Sequence, residues 1–223
     1  MSITKNIIDA LKNQEIRPDS SQQELIKKLA NIEFRKGFAK SIKKFGNKED
    51  LGIYIWGDVG RGKTLIINEY LKQLNPNDHK SFHYIDLMSF VHNELNINSG
   101  TKDPLNQVAK NIVKKCDLIF IDEFQVEDVS DAMIIGSLLI KILDSGTKII
   151  ITSNSHPNDL YQDGLQREKF IKSIMTCTEK LKIFKLDGEI DYRSRNIIDI
   201  SRGKDYLYLS LIHISEPTRL RRI

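Results

Sequence analysis

The stretch "GIYIWGDVGRGKT", Gly52 to Thr64, runs an apolar segment directly into glycines that end in a lysine and a threonine. Gly57-x-x-x-x-Gly62-Lys63-Thr64 has the spacing of a phosphate-binding loop. Each residue type has a physical task there. Glycines let the backbone N–H groups of Gly60, Arg61, Gly62 and Lys63 point at phosphate oxygens without Cβ clashes. Lys63 brings a positive charge to the β and γ phosphates, and Thr64 offers a hydroxyl to Mg²⁺. The following "TLIINEYLKQL" continues as a helix whose N-terminus favours anions. The whole loop, Gly57, Asp58, Val59, Gly60, Arg61, Gly62, Lys63 and Thr64, is therefore the candidate nucleotide site.

Downstream, "CDLIFIDEF" delivers Asp122 and Glu123 to the end of a buried apolar strand. Ligands bind at that end in open α/β sheets. Asp122 is expected to hold Mg²⁺ through its water shell, and Glu123 to take a proton from an attacking water. A third run, "KIIITSN", ends at Asn154, whose amide is placed to orient water beside a γ phosphate. Between loop and acid pair lies one further strand, "SFHYID", the order of glutamate-using ATPases. "NKED", Asn47 to Asp50, matches a guanine-reading pattern, but no apolar strand leads into it and it reads as a loop.

With "LGIYIW" and "KLKIFKLDG" these runs make five short strands separated by helix-length segments. That alternation predicts an α/β fold, a mostly parallel five-stranded sheet with helices on both faces. "RPDSSQQELIKKLANI" opens a helix, with Asp19 or Ser20 as cap and Ser21-x-x-Glu24 as a capping box, and helical patterning continues to about Lys44. The organisation expected is a helical N-terminal extension at 1–50, an ATPase core at 51–208 and a tail at 209–223. "LSLIHISEPTR", Leu209 to Arg219, matches in-frame translation of a common sequencing adapter, so the natural chain is expected to continue past about Leu209.

Composition narrows the class. Of 223 residues, 40% are hydrophobic and 29% charged, as in a globular domain. The net charge of +4 is mild, and residues 1–50 hold eleven Lys or Arg against seven Asp or Glu. Such a flank is usually a solvated face, so nucleic acid is not the expected partner. The start, "MSITKNIIDALKNQ", has isolated apolar pairs and is no signal peptide. "AMIIGSLLIKILDSGTKIIITS" is interrupted by Lys141, Asp144, Gly146 and Lys148, so it is not a membrane span. Two cysteines, Cys116 and Cys177, lack metal-like spacing and suit a reducing, cytoplasmic setting. His83 and His92 have no evident third and fourth ligand and read as core or surface histidines.

In order and spacing, "GDVGRGKT", "DEFQVEDVSDAM", "TSNSHPNDLYQDGLQREKF" and "DYR" resemble the ZapE cell-division ATPases and their mitochondrial relatives, within the AAA+ ATPases. The resemblance implies a Mg-ATP hydrolase acting on protein partners, in bacteria the division ring and its tubulin-like polymer, and a homo-oligomer at full length, with a C-terminal domain past "DYR" that is missing here. It also implies that Asn154 is the first sensor, and that Arg167 is the candidate arginine finger for a neighbouring subunit's ATP. Relatives usually carry a second arginine where this chain has Lys169, and lysine cannot supply a planar bidentate fork, so Arg167 and Lys169 both stay open for that position. Two other readings use the same core: a DNA-associated ATPase such as a helicase loader, and a non-catalytic nucleotide-dependent adaptor.

Overall fold

The computed structural model describes residues 2–32, 51–114 and 116–188. In chain order the elements are α1 (Ile3–Asn13), α2 (Ser20–Ala30), β1 (Gly52–Trp56), α3 (Lys63–Leu71), β2 (His79–His83), α4 (Tyr84–Ile97), α5 (Pro104–Val113), β3 (Leu118–Asp122), α6 (Val129–Asp144), β4 (Lys148–Ser153), α7 (Arg167–Thr178) and β5 (Lys182–Lys185). The strands form one sheet in the order β2-β3-β4-β1-β5. Every pairing is parallel, with Tyr54 opposite Ile151 and Ile183, Phe120 opposite Ile150, and His83 opposite Asp122. All five strands therefore end at one edge.

Alternation along the strands builds a core on each face. Tyr54, Ile119, Ile121, Ile149 and Ile151 face one way and pack with α4, α5, α6 and α7, burying Leu87, Ile112, Ile135 and Phe170. Ile53, Ile55, Leu118, Phe120 and Ile150 face the other way, against Ile66 and Ile67 of α3. Ile7 and Leu11 of α1, with Leu25, Ile26 and Leu29 of α2, belong to this second core. The apolar pairs at the chain start are thus the buried stripe of an amphipathic helix at i, i+4 spacing, lying on α2 and α3.

Two local expectations are corrected. "SFHYID" is not one strand: β2 stops at His83, and Tyr84 to Asp86 form the first turn of α4 with no loop between. Tyr84, Leu87, Met88 and Val91 bury at helical spacing, and Asp86 sits where a helix start favours a negative charge. The capping box is Asp19 with Gln22, two residues earlier than Ser21 with Glu24. Asp19 keeps extended backbone angles and can cap, whereas Glu24, already inside the helix, pairs with Lys28 at 3.2 Å. The expected helical continuation to Lys44, the "NKED" loop and the tail from Leu209 lie outside the described residues, and among those described no helix is long and apolar enough to cross a membrane.

Candidate active site

Trp56 ends β1 and the chain turns at Gly57, where a Cβ would lie 2.4 Å from the carbonyl oxygen of Leu186. Leu186 in turn donates its N–H to Trp56 O at 2.7 Å, so β5 runs tightly against the start of the loop. Gly60 (φ 85°) and Gly62 (φ 81°) hold left-handed backbone, and Gly62 is the N-cap that aims the first turn of α3 at a cavity of about 530 Å³. Val59 to Leu65, Asp122, Glu123 and Thr152 to Asn154 line it.

Lys63 is the hub. Only 9% exposed, its ammonium donates to Gly57 O at 2.5 Å, Asp58 O at 2.8 Å and Asn154 Oδ1 at 3.0 Å. The next residue, Thr64, donates its hydroxyl to Asp122 Oδ1 at 2.9 Å, and the Thr152 hydroxyl donates to the same oxygen. A hydroxyl and a carboxylate side by side are hard oxygen donors, and two such protein ligands suit Mg²⁺, which completes its shell with water and phosphate. Asn154 and Thr152 reach both neighbours because β4 lies between β1 and β3. Tyr54 buttresses the loop after Asn154 by donating to Ser155 O at 3.0 Å, and burial pushes its phenol well above the ordinary tyrosine range.

Glu123 has left-handed backbone (φ 53°), an uncommon state for a residue with a side chain. Two contacts hold the turn: its N–H donates to Thr152 Oγ1 at 3.2 Å, and the Phe124 N–H to Thr152 O at 2.8 Å. The turn sends the Glu123 carboxylate across to β2, where Oε2 lies 2.9 Å from His83 Nε2. Sequence reasoning missed this pairing and the bridging role of Thr152. The usable signals were that His83 closes an apolar strand and that Thr152 stands two residues before Asn154. His92 is placed elsewhere, 2.6 Å from Asp131 at the start of α6, so the two histidines do not share a ligand set.

Arg167 is not brought to the loop within one chain. It opens α7, its Nη2 donates to Asn158 O at 2.6 Å, and its buried Nε has no hydrogen-bond partner among the described residues. Lys169 is exposed and donates to Gln166 Oε1 at 3.1 Å. Burial pushes the Cys177 thiol up to about 12, which leaves it an inert core group.

A parallel sheet of this order, with a phosphate loop after β1, an acid pair after β3 and a polar amide after β4, defines the α/β fold of a P-loop NTPase. The family model of the AFG1-like ATPases matches residues 1–203, and the chain belongs to that family. It is 31% identical to the cell division protein ZapE of Escherichia coli (strain K12) over 228 aligned residues, covering 94% of this chain and 60% of that protein. It is 35% identical to lactation elevated protein 1 homolog B of Danio rerio over 157 residues, 66% of this chain and 31% of that one. The chain thus spans about 60% of the length of the bacterial relative. Among solved structures, the replication initiator DnaA bound to AMPPCP and single-stranded DNA superposes with a TM-score of 0.52 at 16% identity, covering 85% of this chain and 53% of that one, a likeness of fold alone.

Proposed function

We propose that this chain is the nucleotide-hydrolysing part of a Mg-dependent ATPase that couples ATP binding and hydrolysis to remodelling of a protein partner. The observation that carries the reading is the meeting, at one sheet edge, of Lys63 with Asn154 and of Thr64 with Asp122, beside Glu123. In this reading the loop N–H groups and Lys63 bind the triphosphate, Asn154 orients the attacking water, and Glu123 takes its proton. Thr64 and Asp122 would hold the magnesium ion, which when bound neutralises charge on the phosphates. The ATPase core is taken as residues 51–208, with α1 and α2 packed onto it.

The finer assignments draw on kinship. ZapE of Escherichia coli carries the name of a cell division protein. A partner in the division machinery, cytoplasmic location and homo-oligomerisation, with Arg167 serving a neighbour's ATP, are proposed for this chain on that basis. The deciding measurement is phosphate release from ATP by the chain, with and without Mg²⁺. Metal-dependent release is expected. If ATP neither binds nor is hydrolysed under either condition, the reading fails.

A further inference from the structure

Arg61 sits between two glycines in left-handed backbone, Gly60 at φ 85° and Gly62 at φ 81°. With no Cβ on either neighbour, the peptide units around it have little to stop them turning over. One of them is gripped from outside the loop. Gln22 of α2, 3% exposed, donates its side-chain amide Nε2 to Arg61 O at 2.9 Å, across 39 positions of sequence.

Gln22 is itself held. Its Oε1 accepts from Asp19 N at 3.1 Å and its own N–H donates to Asp19 Oδ1 at 2.8 Å, so the capping box fixes the side chain that reaches the loop. Further along α2, Leu25, Ile26 and Leu29 share a core with Ile66 and Ile67 of α3, the helix into which the loop leads. The contacts of Lys63 with Gly57 O and Asp58 O stay within the loop, as does the 3.5 Å pair between Arg61 and Asp58. Such internal contacts do not orient the loop against the rest of the fold. The Gln22 amide does.

We infer that Gln22 is a positioning residue for phosphate binding, turning the Arg61–Gly62 peptide so that its N–H faces the bound triphosphate. This rests on the nucleotide reading above. The Arg61–Gly62 bond is trans, and a planar trans peptide carries its carbonyl and its N–H on opposite sides. Anchoring Arg61 O towards α2 therefore sends the Gly62 N–H away from α2. Gly62 lines the nucleotide cavity and Gln22 does not, so the amide grips the loop from behind. Gly62 is also the N-cap of α3, and its N–H joins those of a first turn that favours an anion. In this way α2 acts on the phosphates without touching them.

The test is competition of inorganic tripolyphosphate and of ATP, with Mg²⁺, against a ribose-labelled fluorescent ATP analogue on the full 223-residue chain. Gln22→Met keeps a buried side chain of similar length and removes the amide. It should weaken both ligands by about tenfold, the scale of one hydrogen bond to a charged group. The Gly62 amide resonance, which tripolyphosphate should shift in the wild type, should move less in this variant. Asp19→Ala removes the cap but leaves the Gln22 amide on Arg61 O, and should lower Tm while keeping both affinities within about threefold. If Gln22→Met fails to fold, Gln22→Asn, a neutral amide one methylene too short for Arg61 O, carries the same expectation. A Gln22 variant that binds tripolyphosphate within about threefold of wild type, or an Asp19→Ala loss as large as that of the Gln22 variant, overturns the inference and leaves the ATPase reading intact. Failure of the wild type to bind either ligand removes both.

Discussion

Lys63 and Asn154, 91 positions apart in the chain, are joined by a 3.0 Å hydrogen bond from Nζ to Oδ1. The same ammonium is also held by the carbonyls of Gly57 and Asp58. A triphosphate entering the loop has to draw Lys63 away from these oxygens. Lys63→Ala should weaken ATP binding by about 10- to 100-fold, the scale of one or two charge-assisted hydrogen bonds. Asn154→Ala should instead lower kcat by about 100-fold with ATP affinity within about threefold. Titration with a fluorescent nucleotide and steady-state kinetics separate the two.

Among the described residues the Glu123 carboxylate is hydrogen-bonded to His83 and not to the loop, whereas its neighbour Asp122 accepts from Thr64. Glu123→Gln is therefore expected to retain Mg-ATP while turnover falls by about 10²- to 10⁴-fold. Undiminished hydrolysis in this variant would take Glu123 out of the reaction.

His83 holds the Glu123 carboxylate 2.9 Å from its ring nitrogen, away from the loop. Removing that partner with His83→Ala should raise kcat by up to about tenfold and leave KM unchanged, since one hydrogen bond no longer has to break. A fall in kcat would mean that His83 sets Glu123 in its productive orientation.

Acid should loosen three surface contacts together. A hydrogen bond from Lys141 holds the Asp103 carboxyl below the usual carboxylate range, Ser130 does so for Asp128, and Lys185 for Asp187. A carboxyl whose pKa is depressed by folding contributes stability that is fully present above its ordinary value of 3.8 and is lost as pH falls through the lower folded value. Thermal melts from pH 7 down to about pH 3 should show a Tm drop at the acid end that is shallower in Asp103→Asn and Asp128→Asn. Equal acid slopes in all three proteins would remove these carboxylates from the account.

Ile7 is fully buried in the core shared by α1, α2 and α3. Ile7→Ala should cost about 2–4 kcal/mol in chemical unfolding, with one cooperative transition. A loss below about 0.5 kcal/mol, the level of a surface substitution, would mean that α1 is not part of the cooperative unit.

What could be read from the chain was what is local. The strand–loop–helix around Lys63 and the acid pair after "LIFI" are each written in a few consecutive residues. The exact ends of elements were less legible: Ser81, Phe82, His83 and Tyr84 alternate as a strand would, and the helical spacing of buried Tyr84, Leu87, Met88 and Val91 is what makes Tyr84 helical. The contacts His83–Glu123 and Thr152–Asp122 depend on the spatial order of strands, which no short stretch encodes. Among the described residues Arg167 is tied to Asn158 O and not to the loop, so no contact within one chain bears on its proposed service to a neighbour's ATP.

β4 is hydrogen-bonded to β1 on one flank and to β3 on the other, and it carries both Thr152 and Asn154. It works as a common spacer, so the lysine and the acid pair cannot slide relative to each other unless one ladder gives way. Small errors of packing beneath this strand should surface as misaligned chemistry long before they surface as a lower melting point.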